Sequence, residues 1–177
     1  MRIAISGKSG CGNTTVSSMV AEALGFVMIN FTFRTLAQEK GMEFWQLCSL
    51  AEHSDAYDLE VDRRQVEMAM EVESCVLGSR LAIWMLKEAD LKIYLTATTE
   101  ERAKRVLKRE GGTFSQRLLE TSQRDKNDSA RYERLYGIDN GDTSIADMVI
   151  DTTTLEPAEV ASLIIARVKK LQKGPSR

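Results

Sequence analysis

Nine consecutive residues near the amino terminus, Gly7-Lys8-Ser9-Gly10-Cys11-Gly12-Asn13-Thr14-Thr15, have the make-up of a loop that holds polyphosphate. Gly7, Gly12 and Thr14 keep the register of G-x-x-x-x-G-K-[ST]. Glycines let the backbone curl so that successive N–H groups converge on an anion. A helix beginning at the end of such a loop adds the positive end of its dipole. Thr14 is placed to offer a hydroxyl to Mg²⁺. The lysine of the pattern is missing, and Asn13 stands in its place. Two unit charges ~4 Å apart interact by ~4 kcal/mol at an effective dielectric of ~20. Losing that attraction only in the transition state slows a reaction roughly a thousandfold. Lys8, in the same loop, carries an ammonium on a four-carbon stem that can fold back to the phosphates; a solvated surface lysine is the alternative. A Gly-rich turn with no ligand would need none of this register.

The elements around the loop suit the same chemistry. Residues 3–6 read as a short buried strand, and Val16, Met19, Val20, Ala23 and Leu24 recur on one face of a helix that follows, with Gly25 as its C-cap. Further strands are expected at residues 26–29, 74–77, 91–95 and 148–150. Helical stretches are expected over 32–72 (interrupted at Gly41), 81–89, 99–110 and 115–135. A terminal amphipathic helix follows Pro157, with a basic end at 169–177 expected to fray. Short apolar strands alternating with helices describe an α/β domain of three layers, a five-stranded parallel sheet covered on both faces. Ligands bind such sheets beyond the carboxyl ends of the strands, which is where residues 7–15 must lie.

Several further segments match a known family once the loop is in view. They are Phe33-Arg34 within Phe-Arg-Thr-Leu-Ala, Asp62-Arg63-Arg64-Gln65, Leu77-Gly78-Ser79-Arg80-Leu81-Ala82, the pair Arg124 and Arg131, Tyr136-Gly137-Ile138-Asp139 and Val149-Ile150-Asp151-Thr152. The chain resembles, over nearly its whole length, the small cytidylate kinases of the archaeal type, a branch of the nucleoside monophosphate kinases with a phosphate-binding loop. That resemblance implies ATP-dependent phosphorylation of CMP, with dCMP as a second acceptor, and ATP with Mg²⁺ on residues 7–15. It implies a core of residues 1–30, 73–98 and 145–172, a monophosphate-binding lobe at about 31–72 and a lid at about 112–140. Arg34, Asp62 and Arg80 would hold the acceptor. Arg124 and Arg131, seven apart and so on one helical face, would close over the transferring group together with Lys8. Gly78 departs from the family's acidic residue at the end of the third strand, a position suited to the Mg²⁺ shell. With Asn13 this makes two charged positions lost, and a nucleotide-binding module with weak or no turnover is the first alternative. A switch ATPase using Lys8 is the second, although loops of that kind keep both lysines.

Composition agrees by exclusion. A nucleotide phosphate is already ionised at neutral pH, so phosphoryl transfer needs positioning and charge neutralisation and no general base. One histidine, His53, suffices for such an enzyme and is a poor basis for metal or triad chemistry. Three cysteines form neither a disulfide framework nor a zinc pair. With 24 basic and 26 acidic residues, no nucleic-acid partner is indicated. The near-neutral total hides an asymmetry: residues 99–137 carry ten Lys or Arg against seven Asp or Glu. Within that segment Arg102, Arg105 and Arg109 are expected to be ordinary surface charges. Trp45 and Trp84 are expected to be packing residues. No apolar run is long enough for a signal peptide or a membrane span, so no membrane partner, a cytoplasmic location and a monomer are expected.

Overall fold

The computed structural model describes residues 1–51 and 53–172. Five strands, β1 (Arg2–Gly7), β2 (Val27–Ile29), β3 (Cys75–Gly78), β4 (Leu91–Thr96) and β5 (Met148–Asp151), form one sheet in the order β2-β3-β1-β4-β5. Every pairing is parallel, with Ile3 opposite Val76 on one side and Leu91 on the other. The order reverses at β1: β2 and β3 lie to one side of it, β4 and β5 to the other.

Side-chain alternation along β1 explains its unbroken apolar run. Ile3 and Ile5 point into one core with Val16, Val20 and Ala21 of α1 (Asn13–Leu24) and with Val160, Ile164 and Val168 of α8 (Pro157–Gln172). Ala4 points into the other, with Ala69 of α4 (Ala56–Met70) and Ala82, Ile83 and Leu86 around α5 (Ala82–Met85). A strand sandwiched between two apolar layers has no solvent face to keep polar. The edge strands are the exception, leaving Val27 and Val149 about half exposed.

Between β2 and β3 the chain builds a small lobe from α2 (Phe33–Glu39), α3 (Phe44–Ala51) and α4, with its own core of Phe31, Leu36, Ala37, Leu47 and Val61. Gly41 (φ +63°) ends α2, as its position suggested, but a second break before α4 divides the expected long helix once more. The helix expected over 81–89 shrinks to the single turn of α5. α6 (Thr99–Glu110) and α7 (Phe114–Tyr136) pack against each other beyond β4. The basic end remains helical through Gln172; its last five residues lie outside the described ones. No described helix is long and apolar enough to cross a membrane.

Trp45 corrects one expectation. At 76% exposure it packs against little but the edge of Phe44, because α3 buries only Leu47 in the lobe. Trp84 does pack, edge-on to Tyr94 with ring centroids 5.8 Å apart.

Candidate active site

The loop leaves β1 at the point where strand order reverses and runs directly into α1. Gly12, at φ +97°, is the N-cap of α1 and has no side chain to accept the helix's first N–H groups. Thr32, Thr98 and Thr113 do cap α2, α6 and α7 through their hydroxyls. The first turn of α1 therefore keeps its free N–H donors and the positive end of its dipole open to an anion. Cys11 is buried in the core below the loop, its N–H donating to the Lys8 carbonyl at 3.1 Å. Burial pushes its thiol above the usual range, so it is a filler and not a thiolate.

A cleft of about 730 Å³ opens over this turn, lined by residues 8–15, Gly78, Arg80 and Arg124. Arg124 reaches the loop, its Nη1 lying 3.4 Å from Ser9 Oγ. The opposite wall comes from residues 152–157 after β5 and from Lys104, Arg105, Lys108 and Arg109 of α6. Among the described residues only Glu101 and Glu156 carry negative charge in this lining. The excess of cations around an uncapped helix end suits a polyphosphate.

Two expected surface charges prove to be structural. Arg102 is 3% exposed and is held by Asp125, Thr99 and the carbonyl of Ser9. Arg105 donates from Nη1 to Thr152 Oγ1 at 3.0 Å and to the Gly10 carbonyl at 3.4 Å. Thr152 in turn donates to the Cys11 or Thr96 carbonyl. A helical periodicity shows only that these arginines share a face; the loop and the strand end that cover that face are distant in sequence. The same distance hid the part of the lining contributed by α6 and residues 152–157. Its one visible sign was the i, i+4 repeat of Lys104 with Lys108 and Arg105 with Arg109.

The two departures from the loop and strand patterns have physical causes. Asn13 turns back on the start of the loop, its Nδ2 donating to the Gly7 carbonyl at 2.6 Å, while its Oδ1 is buried without a partner. It pins the loop and carries no charge into the cleft. At Gly78 a Cβ would lie 2.3 Å from Ser17 Oγ and 2.7 Å from Ser17 Cβ. With Ser17 fully buried beneath it, position 78 has no room for a carboxylate side chain. Thr14 remains exposed in the cleft. One hydroxyl, with no clustered carboxylates among the described residues, fits Mg²⁺, which keeps most of its waters and takes its other oxygens from phosphate.

Arg34, Asp62 and Arg131 stand outside this lining. Arg34 is exposed on α2 with its guanidinium 4.4 Å from the Phe44 ring centre. Asp62 on α4 accepts from the Tyr136 hydroxyl at 2.6 Å. Burial pushes its carboxyl up, against the opposing effect of that bond. Arg131 lies 3.3 Å from Asp58 and 3.2 Å from Asp128. Asp128 also accepts from Arg80 at 2.6 Å, so one carboxylate joins the cleft arginine to the lobe-facing one. Arg134 pairs with Asp55 at the start of α4. The second half of α7 thus grips the lobe while its first half lies by the loop.

The comparisons with known proteins point the same way. Residues 2–154 match the model of the cytidylate kinase-like family. The chain is 45% identical over 174 residues to cytidylate kinase 2 of Borrelia garinii, covering 96% of this chain and 97% of that one. It is 42% identical over 171 residues to the cytidylate kinase of Pyrococcus horikoshii, covering 96% and 88%. Among solved structures, the shikimate kinase of Bacteroides thetaiotaomicron superposes with a TM-score of 0.65 at 16% identity, covering 98% of each chain, and shares the fold. With that fold, this loop and near full-length identity of this order, the chain belongs to the cytidylate kinase-like family.

Proposed function

We propose that the protein transfers the γ-phosphoryl group of ATP to CMP, and to dCMP, giving ADP and the pyrimidine nucleoside diphosphate. The observation that carries this reading is the uncapped amino terminus of α1 opening into a cleft walled by cations, in a chain with cytidylate kinases as relatives. A phosphate oxygen of the acceptor attacks the γ-phosphorus as the bond to the β-phosphate oxygen breaks. The acceptor oxygen is already ionised, so no proton has to be removed. Residues 8–15 hold the β- and γ-phosphates by their N–H groups. Lys8 and Arg124 supply the charge that Asn13 does not, and Thr14 would hold Mg²⁺, which neutralises charge on the phosphate oxygens. Arg34, Asp62 and Arg80 hold the acceptor on the lobe of residues 31–72, and Arg131 joins them when the lid of residues 112–140 closes. In this reading the acting unit is a monomer working in the cytoplasm.

A second reading has its own support. The Asn13 amide is spent on the Gly7 carbonyl and brings no charge to the cleft, and Ser17 leaves no space for a carboxylate at position 78. A cradle without charge at positions 13 and 78 can bind nucleotide and turn it over poorly. ADP release measured with ATP, Mg²⁺ and each of CMP, dCMP, UMP and AMP separates the two. CMP-dependent turnover well above background supports the kinase. Binding of ATP and CMP with no product supports the module, and hydrolysis indifferent to every acceptor supports an ATPase.

A further inference from the structure

Among the described residues Arg102 is the one buried Lys or Arg, and the proposed reaction leaves it without a role. Its Nη1 donates to the Ser9 carbonyl at 3.0 Å and to Asp125 Oδ1 at 3.0 Å. Its Nη2 donates to Asp125 Oδ2 at 2.6 Å and to Thr99 Oγ1 at 3.3 Å. One planar group so joins the crest of the phosphate loop, its own helix α6 and the neighbouring helix α7. The fit is close: at Gly10, with φ +86°, a Cβ would lie 2.9 Å from Arg102 Cβ and 3.0 Å from the Arg102 carbonyl oxygen. Glycine there lets the loop rest directly on α6. Asp125 directly follows Arg124, whose guanidinium reaches Ser9 Oγ.

We propose that Arg102 and Asp125 are positioning residues for phosphoryl transfer: their bidentate pair fixes the loop crest and the rotation of α7 together, and so sets Arg124 over Ser9. The inference rests on the cleft being the phosphate site. Asp125 neutralises Arg102 at hydrogen-bond distance, so little of its charge is left for phosphates, and its effect is geometric. Such geometry matters more in this chain than in a loop with a lysine at position 13. There the neutralising charge is carried by the loop itself. Here Lys8 is the loop's own cation and the rest comes from Arg124 on another element, whose distance from the loop must be held by something else. A misplacement of about 1 Å at a reacting centre is enough to cost about a hundredfold in rate.

The test uses Asp125→Asn, which keeps the shape of the acceptor and loses its charge, Arg124→Ala, and the two combined. Steady-state kinetics with ATP and CMP, calorimetric ATP binding and thermal melting are measured for each. The expected result for Asp125→Asn is a kcat lowered about 10- to 100-fold. KM for CMP should stay within about threefold, since the acceptor side is untouched. Adding Arg124→Ala to it should lower kcat little further, because both act through one guanidinium. Asp125→Glu restores the charge but lengthens the side chain by one methylene, so it should recover only part of the loss. A kcat within about twofold of wild type, or losses that multiply in the double variant, overturns the proposal. If Asp125→Asn does not fold, Arg102→Lys is measured against the same criteria. If wild type shows no CMP-dependent turnover, the kinase reading fails, and the positioning proposal is judged on ATP affinity. There it predicts that the two substitutions weaken binding non-additively, and additive effects sink it.

Discussion

Replacing Gly78 tests whether the end of β3 is shaped by Ser17. In Gly78→Ala the new methyl group would lie 2.3 Å from Ser17 Oγ and 2.7 Å from Ser17 Cβ. Ordinary contacts between such atoms are about 3.5–4.0 Å, so the overlap is roughly 1 Å. Rotation of the Ser17 hydroxyl relieves only the shorter contact, since Cβ is fixed to α1. The Asn13 carbonyl oxygen at 3.5 Å blocks retreat on that side. Overpacking of this kind costs about 1–3 kcal/mol. For a chain of this size that lowers the melting temperature by about 2–12 °C. Ser17→Gly removes both opposing atoms. By itself it costs about 0.5 kcal/mol of helix propensity, the difference between glycine and serine. It also deletes a buried hydroxyl that has no hydrogen-bond partner. In that background Gly78→Ala should cost under about 0.5 kcal/mol, a coupling of about 1–3 kcal/mol in a double-mutant cycle. Thermal melting of the four proteins reads this directly. An unchanged melting temperature for Gly78→Ala, or the same loss in both backgrounds, refutes the steric account. The cycle also bears on the departure from the family's acidic residue: Gly78→Asp should be tolerated only alongside Ser17→Gly.

Asn13→Lys should raise kcat at least about tenfold by restoring charge over the phosphates. The lost bond to the Gly7 carbonyl should lower stability by about 0.5–1.5 kcal/mol; unchanged turnover would mean that other cations already serve. Lys8→Ala should lower kcat at least about tenfold if its ammonium reaches the transferring group, and full activity would leave it a solvated lysine. Asp62→Asn addresses pH. Burial raises the Asp62 carboxyl, so the stability contributed by this group is present below about pH 4 and is lost as pH rises through the raised value. The melting temperature of Asp62→Asn relative to wild type should therefore climb across that interval, and a difference independent of pH would contradict it. CMP-dependent turnover should fall in the same variant at every pH.

Much of the architecture follows from local pattern. All five strands lie within about a residue or two of their expected ends, because runs such as Ile3-Ala4-Ile5 and Leu91 to Leu95 are apolar on both faces. The limits of α6 coincide with the expected ones, since Thr98 caps it and Gly111, at φ +72°, ends it. The loop was legible for the same reason: glycine spacing, a strand before and a helix after are properties of a dozen adjacent residues. The lobe was less so, because the break before α4 has no proline or glycine to mark it.

What remained for the tertiary structure was the destination of each charged or bulky side chain. Arg102 and Arg109 lie on one charged helix, yet one is buried on Asp125 and the loop and the other pairs with Glu110 at the surface. Trp45 has the composition of a core residue and lies in solvent. Arg124 and Arg131 share a face of α7, but the helix is long enough to bring one to the loop and the other to Asp58 on the lobe. Sequence by itself determined the sheet, the phosphate loop and the excess of cations beyond β4, since these depend on neighbours along the chain. Only the folded chain decided which cations face the cleft, why the Asn13 amide turns back on the loop and why position 78 must be glycine. Those outcomes depend on partners tens of residues away, on the way Asn13 bends back to the Gly7 carbonyl, or on the close approach of α1 to β3 at Ser17 and Gly78, which no local spacing encodes.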